Sequence, residues 1–154
     1  MKKKLIPGLL VLSLLLNVVV IYFLVSQPRQ DESHKHGAIQ EISFAVMRLE
    51  GCQDDWNQSE YTVAVAHLYA ACKHVESLRK VDYWVTTEPF QKLWNMAACY
   101  PEVVQANVKE MIAALSKLNT AECLTDEEIM GEFKAFTDDF WIKAAEAEIN
   151  RDHA

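Results

Sequence analysis

The stretch Asn57-Gln-Ser-Glu-Tyr-Thr-Val-Ala-Val-Ala-His-Leu-Tyr-Ala-Ala-Cys-Lys-His-Val-Glu-Ser-Leu78 decides the fold. Val65, Leu68, Cys72, Val75 and Leu78 recur every three or four residues, the period of one buried stripe on an α-helix. Asn57, with Glu60 three residues on, is a capping pair at its start, and the pattern predicts helix to about Val85.

The same period continues on both sides. Upstream, Ile39, Ile42, Val46 and Leu49 predict a first helix over residues 38–52, and Asp54-Asp55-Trp56-Asn57 reads as the turn. Downstream, Thr87 reads as a cap, Pro89 sits in the first turn, and Phe90, Leu93, Trp94 and Ala97 point inward. Pro101 should kink this helix, which then continues over 102–118 with Val104, Val108, Met111, Leu115 and Leu118 on its stripe. Thr125-Asp-Glu-Glu128 reads as a capping box that opens a last helix, carrying Ile129, Phe133, Phe136, Phe140 and Ala144 inward. No strand pattern competes. The expected class is all-α: an up-down four-helix-type bundle over 38–154 with a kinked third helix, behind a single transmembrane helix.

Composition narrows the functions. Of 154 residues 51% are hydrophobic, and the four glycines are scattered, whereas phosphate-cradling and dinucleotide-binding loops need them clustered. Four glycines and four prolines are also too few for the tight turns of an all-β fold.

The N-terminus carries the strongest local signal. Lys2, Lys3 and Lys4 precede an apolar run from Leu5 to Val25, 21 residues long, broken only by Pro7-Gly8, Ser13 and Asn17. As a helix the run would be about 31 Å long, close to the thickness of a bilayer's hydrocarbon core. It exceeds the apolar core of a signal peptide, and Leu24-Val25-Ser26 lacks the small residue a cleavage site needs. Residues 1–26 therefore read as a cytoplasmic tip and uncleaved signal-anchor held in the membrane through residues 5–25. Residues 27–37 read as a polar juxtamembrane linker, and the rest as lying outside the cytoplasm. Removing the three lysines from a chain of net −7 leaves −10 outside, a sign that repels nucleic acid. Asn57-Gln58-Ser59 is a glycosylation sequon, meaningful only in a host that glycosylates exported proteins.

Four cysteines, none in C-x-x-C spacing, argue against zinc knuckles and redox dithiols and suggest two disulfides in an exported domain. If the third helix runs on past Pro101, helix levels favour Cys72–Cys99 with Cys52–Cys123.

The residues supply no reaction and no cofactor. The one acidic match to the Glu-x-x-His di-iron pattern is Asp31-x-x-His34, in the linker. His67 and His74, seven apart, share a helix face about 10 Å apart and cannot chelate one metal together. His34-Lys35-His36 offers at most weak transition-metal binding in a linker. No nucleophile elbow is present. Tyr83-Trp84 and Phe140-Trp141 are adjacent aromatic pairs, about 100° apart on a helix, so one of each faces away from the core and is a docking candidate. The expected function is a non-catalytic binding, accessory or scaffold module of the cell envelope with a protein partner. Two further readings stay open: a membrane-tethered enzyme or cofactor carrier whose site assembles only in three dimensions, and a secreted bundle released by cleavage.

Overall fold

The computed structural model describes the backbone of residues 2–79 and 81–152, and the side chains of residues 13–22, 29–79 and 81–149. It is helical, with no strand among the described residues, and divides into two compact units, residues 1–33 and 34–154. Helix α1, Lys2–Glu50, supplies the first unit and the first helix of the second. The polar stretch Ser26–His36, expected as an irregular linker, lies within α1. From Arg29 to His36 it contains no glycine or proline and is rich in residues that lose little side-chain freedom in a helix.

In the first unit Leu14, Leu15, Leu16, Val18, Val19, Val20, Ile21 and Tyr22 are all exposed. Among the described residues no helix is long and apolar enough to cross a membrane. Of the expected span, residues 5–12 and 23–25 lie outside the described side chains.

The second unit is a helical bundle. Its other elements are α2 (Gln58–Glu76), a π-helical turn (Tyr83–Thr87), α3 (Glu88–Cys99), α4 (Pro101–Ala106), α5 (Val108–Ser116), a 3-10 turn (Ala121–Thr125) and α6 (Glu127–Asp152). Asn57 caps α2 as its sequence predicts, its Oδ1 accepting from the N–H groups of Ser59 and Glu60 at 3.0 and 3.2 Å. Side-chain pairs fix the helix directions. His34–His74, Glu41–His67 and Arg48–Glu60 make α1 and α2 antiparallel. Gln91 donates to Glu76, Tyr69 packs on Trp94, and the Tyr61 hydroxyl donates to the Ala97 carbonyl, so α3 runs against α2. Phe90–Phe133, Lys92–Asp138 and Tyr100–Glu148 make α6 parallel to α3. Lys117–Glu132 and Lys143–Glu110 make α5 antiparallel to α6.

It follows that α5 runs antiparallel to α3. The single kinked third helix expected from sequence is instead two opposed helices joined by the corner α4. Two breaks six residues apart reverse the chain. Pro101 has no N–H to continue α3, and Asn107, at φ −125°, leaves helical geometry while its side-chain amide donates to the Val103 carbonyl at 2.8 Å.

The stripes match their reading. Ile42, Leu49, Leu68, Phe90, Leu93, Met111, Leu115 and Phe140 are fully buried in one core, with Ile39, Val46, Val65, Trp94, Ile129 and Phe136 packed against it. Each large buried side chain contributes about 1.5–3 kcal/mol of transfer free energy.

The reversal removes the disulfide framework. All four cysteines are free thiols. Cys52 follows the C-terminal end of α1, whereas Cys123 sits in the 3-10 turn, where the neighbouring Glu122 lies in the field of Lys35 and His36. From His36 to Cys52 the axial rise is about 24 Å, so the pair sits at opposite ends of the bundle. Cys72 is level with residues between Gln91 and Trp94, and Cys99 lies at least five residues beyond, about 8–12 Å away. Helix to Val85 with a cap at Thr87 implies an α2–α3 turn near residue 86; the helical pairing centres it about four residues earlier.

Without reductant, the denatured protein is therefore expected to titrate four thiols. In the native state Cys99, the exposed one, alkylates first. Cys72 alkylates slowly, because burial and then the Glu76 carboxylate push its thiol up to about 12. Finding two or fewer thiols by mass spectrometry would restore the bridges.

Candidate functional site

The segment between α2 and α3 and the start of α6 together form the largest described cleft. Asp82 accepts from the backbone N–H groups of Trp84 and Val85 at 2.8 and 3.3 Å and so caps the start of the π-helical turn. Thr87, expected as the cap, has helical dihedrals and no capping bond. Opposite, Asp126 accepts from Glu128 and Ile129, both at 3.0 Å, and caps α6. The expected cap, Thr125, donates to the Glu122 carbonyl instead. The cap moves one residue because the 3-10 turn runs through Thr125 and the chain becomes extended only at Asp126.

Between these walls lies a cleft of about 530 Å³ with Val81, Val85, Leu124 and Met130 as its apolar lining. Asp82, Asp126, Glu127 and Lys134 supply its charge. Gly131 also lines it, and a Cβ built there meets nothing within 4 Å.

Three of these four charges are already engaged. Lys134 pairs with Asp138 at 2.6 Å and lies 3.9 Å from Glu88; Lys92 pairs with Asp138 at 2.6 Å and Glu88 at 3.0 Å. These four side chains close a ring between α3 and α6. Hydrogen bonds from Lys134 and then Lys92 hold the Asp138 carboxyl below its ordinary value, and the Asp138 bond raises Lys92. Asp82 and Asp126 each satisfy two orphan N–H groups, the work of caps rather than of a catalytic acid–base pair. Among the described residues no group of three or more His, Cys, Asp or Glu side chains is placed to hold a metal. A concave lining that mixes apolar and charged side chains, with Asp82 and Asp126 at work as caps, suits binding better than acid–base chemistry.

The aromatic candidates separate by position. Tyr83 and Trp84 are 47% and 65% exposed, edge to face with centroids 5.2 Å apart, in the turn whose neighbouring residues line the cleft. The Tyr83 hydroxyl donates to Gln91 at 2.7 Å, and Gln91 in turn donates to Glu76. Phe140 is buried in the core, while Trp141 is 45% exposed beside a small hollow with Tyr100, Ala144 and Glu148. Trp141 lies seven residues beyond Lys134 on α6, two turns or about 10 Å further along the helix, and does not line the cleft.

Residue spacing could not find the cleft, because its walls lie some forty residues apart. Nor could it find that His34 faces His74 at 3.3 Å. The one signal for that pair was the spacing of seven between His67 and His74.

No protein-family model, no curated protein and no solved structure matches the chain.

Two outcomes follow from this geometry. Gly131→Ala should raise the unfolding free energy by about 0.5–1 kcal/mol, since the site is helical and open and alanine forms helix better; urea titration measures it, and a loss of stability would contradict the open site. The depressed Asp138 carboxyl contributes stability that is present above its unfolded pKa of about 3.8 and lost as pH falls through the folded value. Because the side chain is 40% exposed, that contribution is about 1 kcal/mol or less. The deficit of Asp138→Asn relative to the parent should be constant above pH 5 and shrink below pH 4; a deficit that grows on acidification would contradict the ring.

Proposed function

We propose that the protein is a single-pass, membrane-anchored helical module whose bundle stands outside the cytoplasm and binds a protein partner of the envelope without catalysing a reaction. The observation that carries the binding reading is the Tyr83–Trp84 pair, exposed in the turn whose neighbours Asp82 and Val85 line a cleft of mixed apolar and charged side chains. Exposed aromatics beside a pocket are the side chains that most often anchor a protein interface. The described charges lining the cleft are three acids and Lys134, which is paired within the fold, so the cleft suits a partner segment with an apolar side chain next to a base.

The anchor is supported by the apolar run Leu5–Val25 and by the exposure of Leu14 to Ile21 around the whole helix. Apart from Ser13 and Asn17, which share one face, this stretch has no solvated side, and lipid is a medium that accepts it. The orientation rests on Lys2, Lys3 and Lys4. Three of the four free cysteines are buried, so the absence of bridges is compatible with an exterior location.

The test places a photo-crosslinking phenylalanine analogue at Tyr83 of the full chain in its native membranes. One discrete adduct is expected in the membrane fraction, and a bulky Gly131→Trp substitution, which fills the cleft, should abolish it. An adduct unaffected by that substitution, or the absence of any adduct, would overturn the binding reading. Recovery of the chain in the soluble fraction without Met1 would overturn the anchor and favour a secreted bundle.

A further inference from the structure

The edge where α1 meets α2 has a heptad order. Residues 34, 41 and 48 on α1 face residues 74, 67 and 60 on α2, each series spaced by seven. A spacing of seven is two helical turns, so each series lies along one line of its helix. Two of the three rungs join a cation-forming side chain to a carboxylate: Arg48 to Glu60 at 2.9 Å and His67 to Glu41 at 2.6 Å. The third departs from this pattern. There two imidazoles face each other, His34 Nδ1 to His74 Nδ1 at 3.3 Å, with ring centroids 5.6 Å apart and planes tilted by 52°.

That separation has a chemical meaning. Two nitrogens bound to one tetrahedral zinc at about 2.0–2.1 Å lie about 3.3–3.4 Å apart. Two adjacent nitrogens in a square-planar copper site would be closer, at about 2.8–2.9 Å. The two nitrogens therefore stand at the tetrahedral spacing, although the rings now meet end-on in an Nδ1···Nδ1 hydrogen bond and each must turn by about 35° for its lone pair to reach a shared ion.

A separate feature seats the pair. Gly37 lies one turn beyond His34, and a Cβ built on it would fall 2.6, 2.8 and 2.9 Å from Cε1, Nδ1 and Nε2 of His74. The His74 ring thus rests on bare α1 backbone, a close approach that only glycine allows. Glycine in a helix interior is costly, and here its absent side chain holds the imidazole against His34. Both histidines are half-buried, so an ion has access from solvent.

We propose that His34 and His74 form a two-imidazole site for a divalent transition cation of tetrahedral preference, zinc above all. The two Nδ1 atoms are the ligands and two positions are left for water or an incoming group. On binding, both Nδ1 lone pairs go to the metal: the ring that donated the hydrogen bond gives up its Nδ1–H to solvent and takes a proton from solvent at Nε2, so both rings end as neutral Nε2–H imidazoles with no net proton released. Such a clip pins α2 to α1 beside the π-helical turn that follows α2. The site does not depend on the binding reading of the cleft.

The test is calorimetric titration of zinc chloride into the full chain, purified in detergent without a polyhistidine tag. One zinc per chain is expected, with a rise in the thermal midpoint. His74→Ala and His34→Gln should each weaken binding by at least about tenfold, the size of loss seen when only an outer partner of a metal ligand is removed. Gly37→Ala should weaken it as well by displacing the His74 ring, whereas His67→Ala and His36→Ala should not. Circular dichroism establishes that each variant is folded, and His34→Gln, which alters the ring and not the seam's glycine seat, keeps the test valid if His74→Ala unfolds. No zinc binding by the folded parent, or zinc that is lost with His36 and not with His74, overturns the site.

Discussion

The reversal of the chain at Tyr100–Asn107 is the constraint on which the rest of the bundle depends. A proline that cannot donate and an asparagine that leaves helical geometry stand six residues apart, too close for a helix of useful length between them. The chain therefore turns a corner. α5 returns along the bundle, and α6 must then run parallel to α3 to pack on both. That parallel course brings Lys134 and Asp138 against Glu88 and Lys92 and closes the four-charge ring. It also carries the start of α6 to the segment before α3, and the cleft forms where the two meet.

The consequences for the cysteines are equally direct. Had the chain continued past Pro101, Cys123 would reach the α1–α2 turn, where Cys52 waits. Reversed, it reaches the other end, near Lys35 and His36. Cys52 and Cys99 instead gather around Tyr61, a buried hydroxyl whose pKa burial raises first, then the Glu102 carboxylate and the two thiols. Its hydroxyl donates to the Ala97 carbonyl, fastening the start of α2 to the end of α3.

What was legible in the sequence was local. The stripes through Leu68, Phe90, Met111 and Phe140 are a property of one helix at a time, and each is buried as its period requires. Caps were legible to within five residues: Asn57 is the cap, whereas Asp126 replaces Thr125, and Asp82 does the work expected of Thr87, because a cap is chosen by backbone dihedrals that the adjoining turns decide. The direction of α5 was not legible, since periodicity is the same for a helix running either way. The site followed the same division. That one of Phe140 and Trp141 must leave the core was readable from a 100° step, while the pairing of His34 with His74 required the register of α1 on α2, which the turn at residues 51–57 sets. The linker was misread because polarity without glycine or proline describes a solvated helix as well as a loop.

Distance between the two ends of the bundle tests the reversal most directly. Spin labels at Glu50 and Glu122, both exposed, in a Cys99→Ser background, report it by pulsed dipolar spectroscopy. With α5 antiparallel to α3 the labels sit at opposite ends, and a separation above about 20 Å is expected from the axial rise between residues 36 and 50. A separation of about 10 Å would place the α5–α6 turn beside the α1–α2 turn and contradict the fold described.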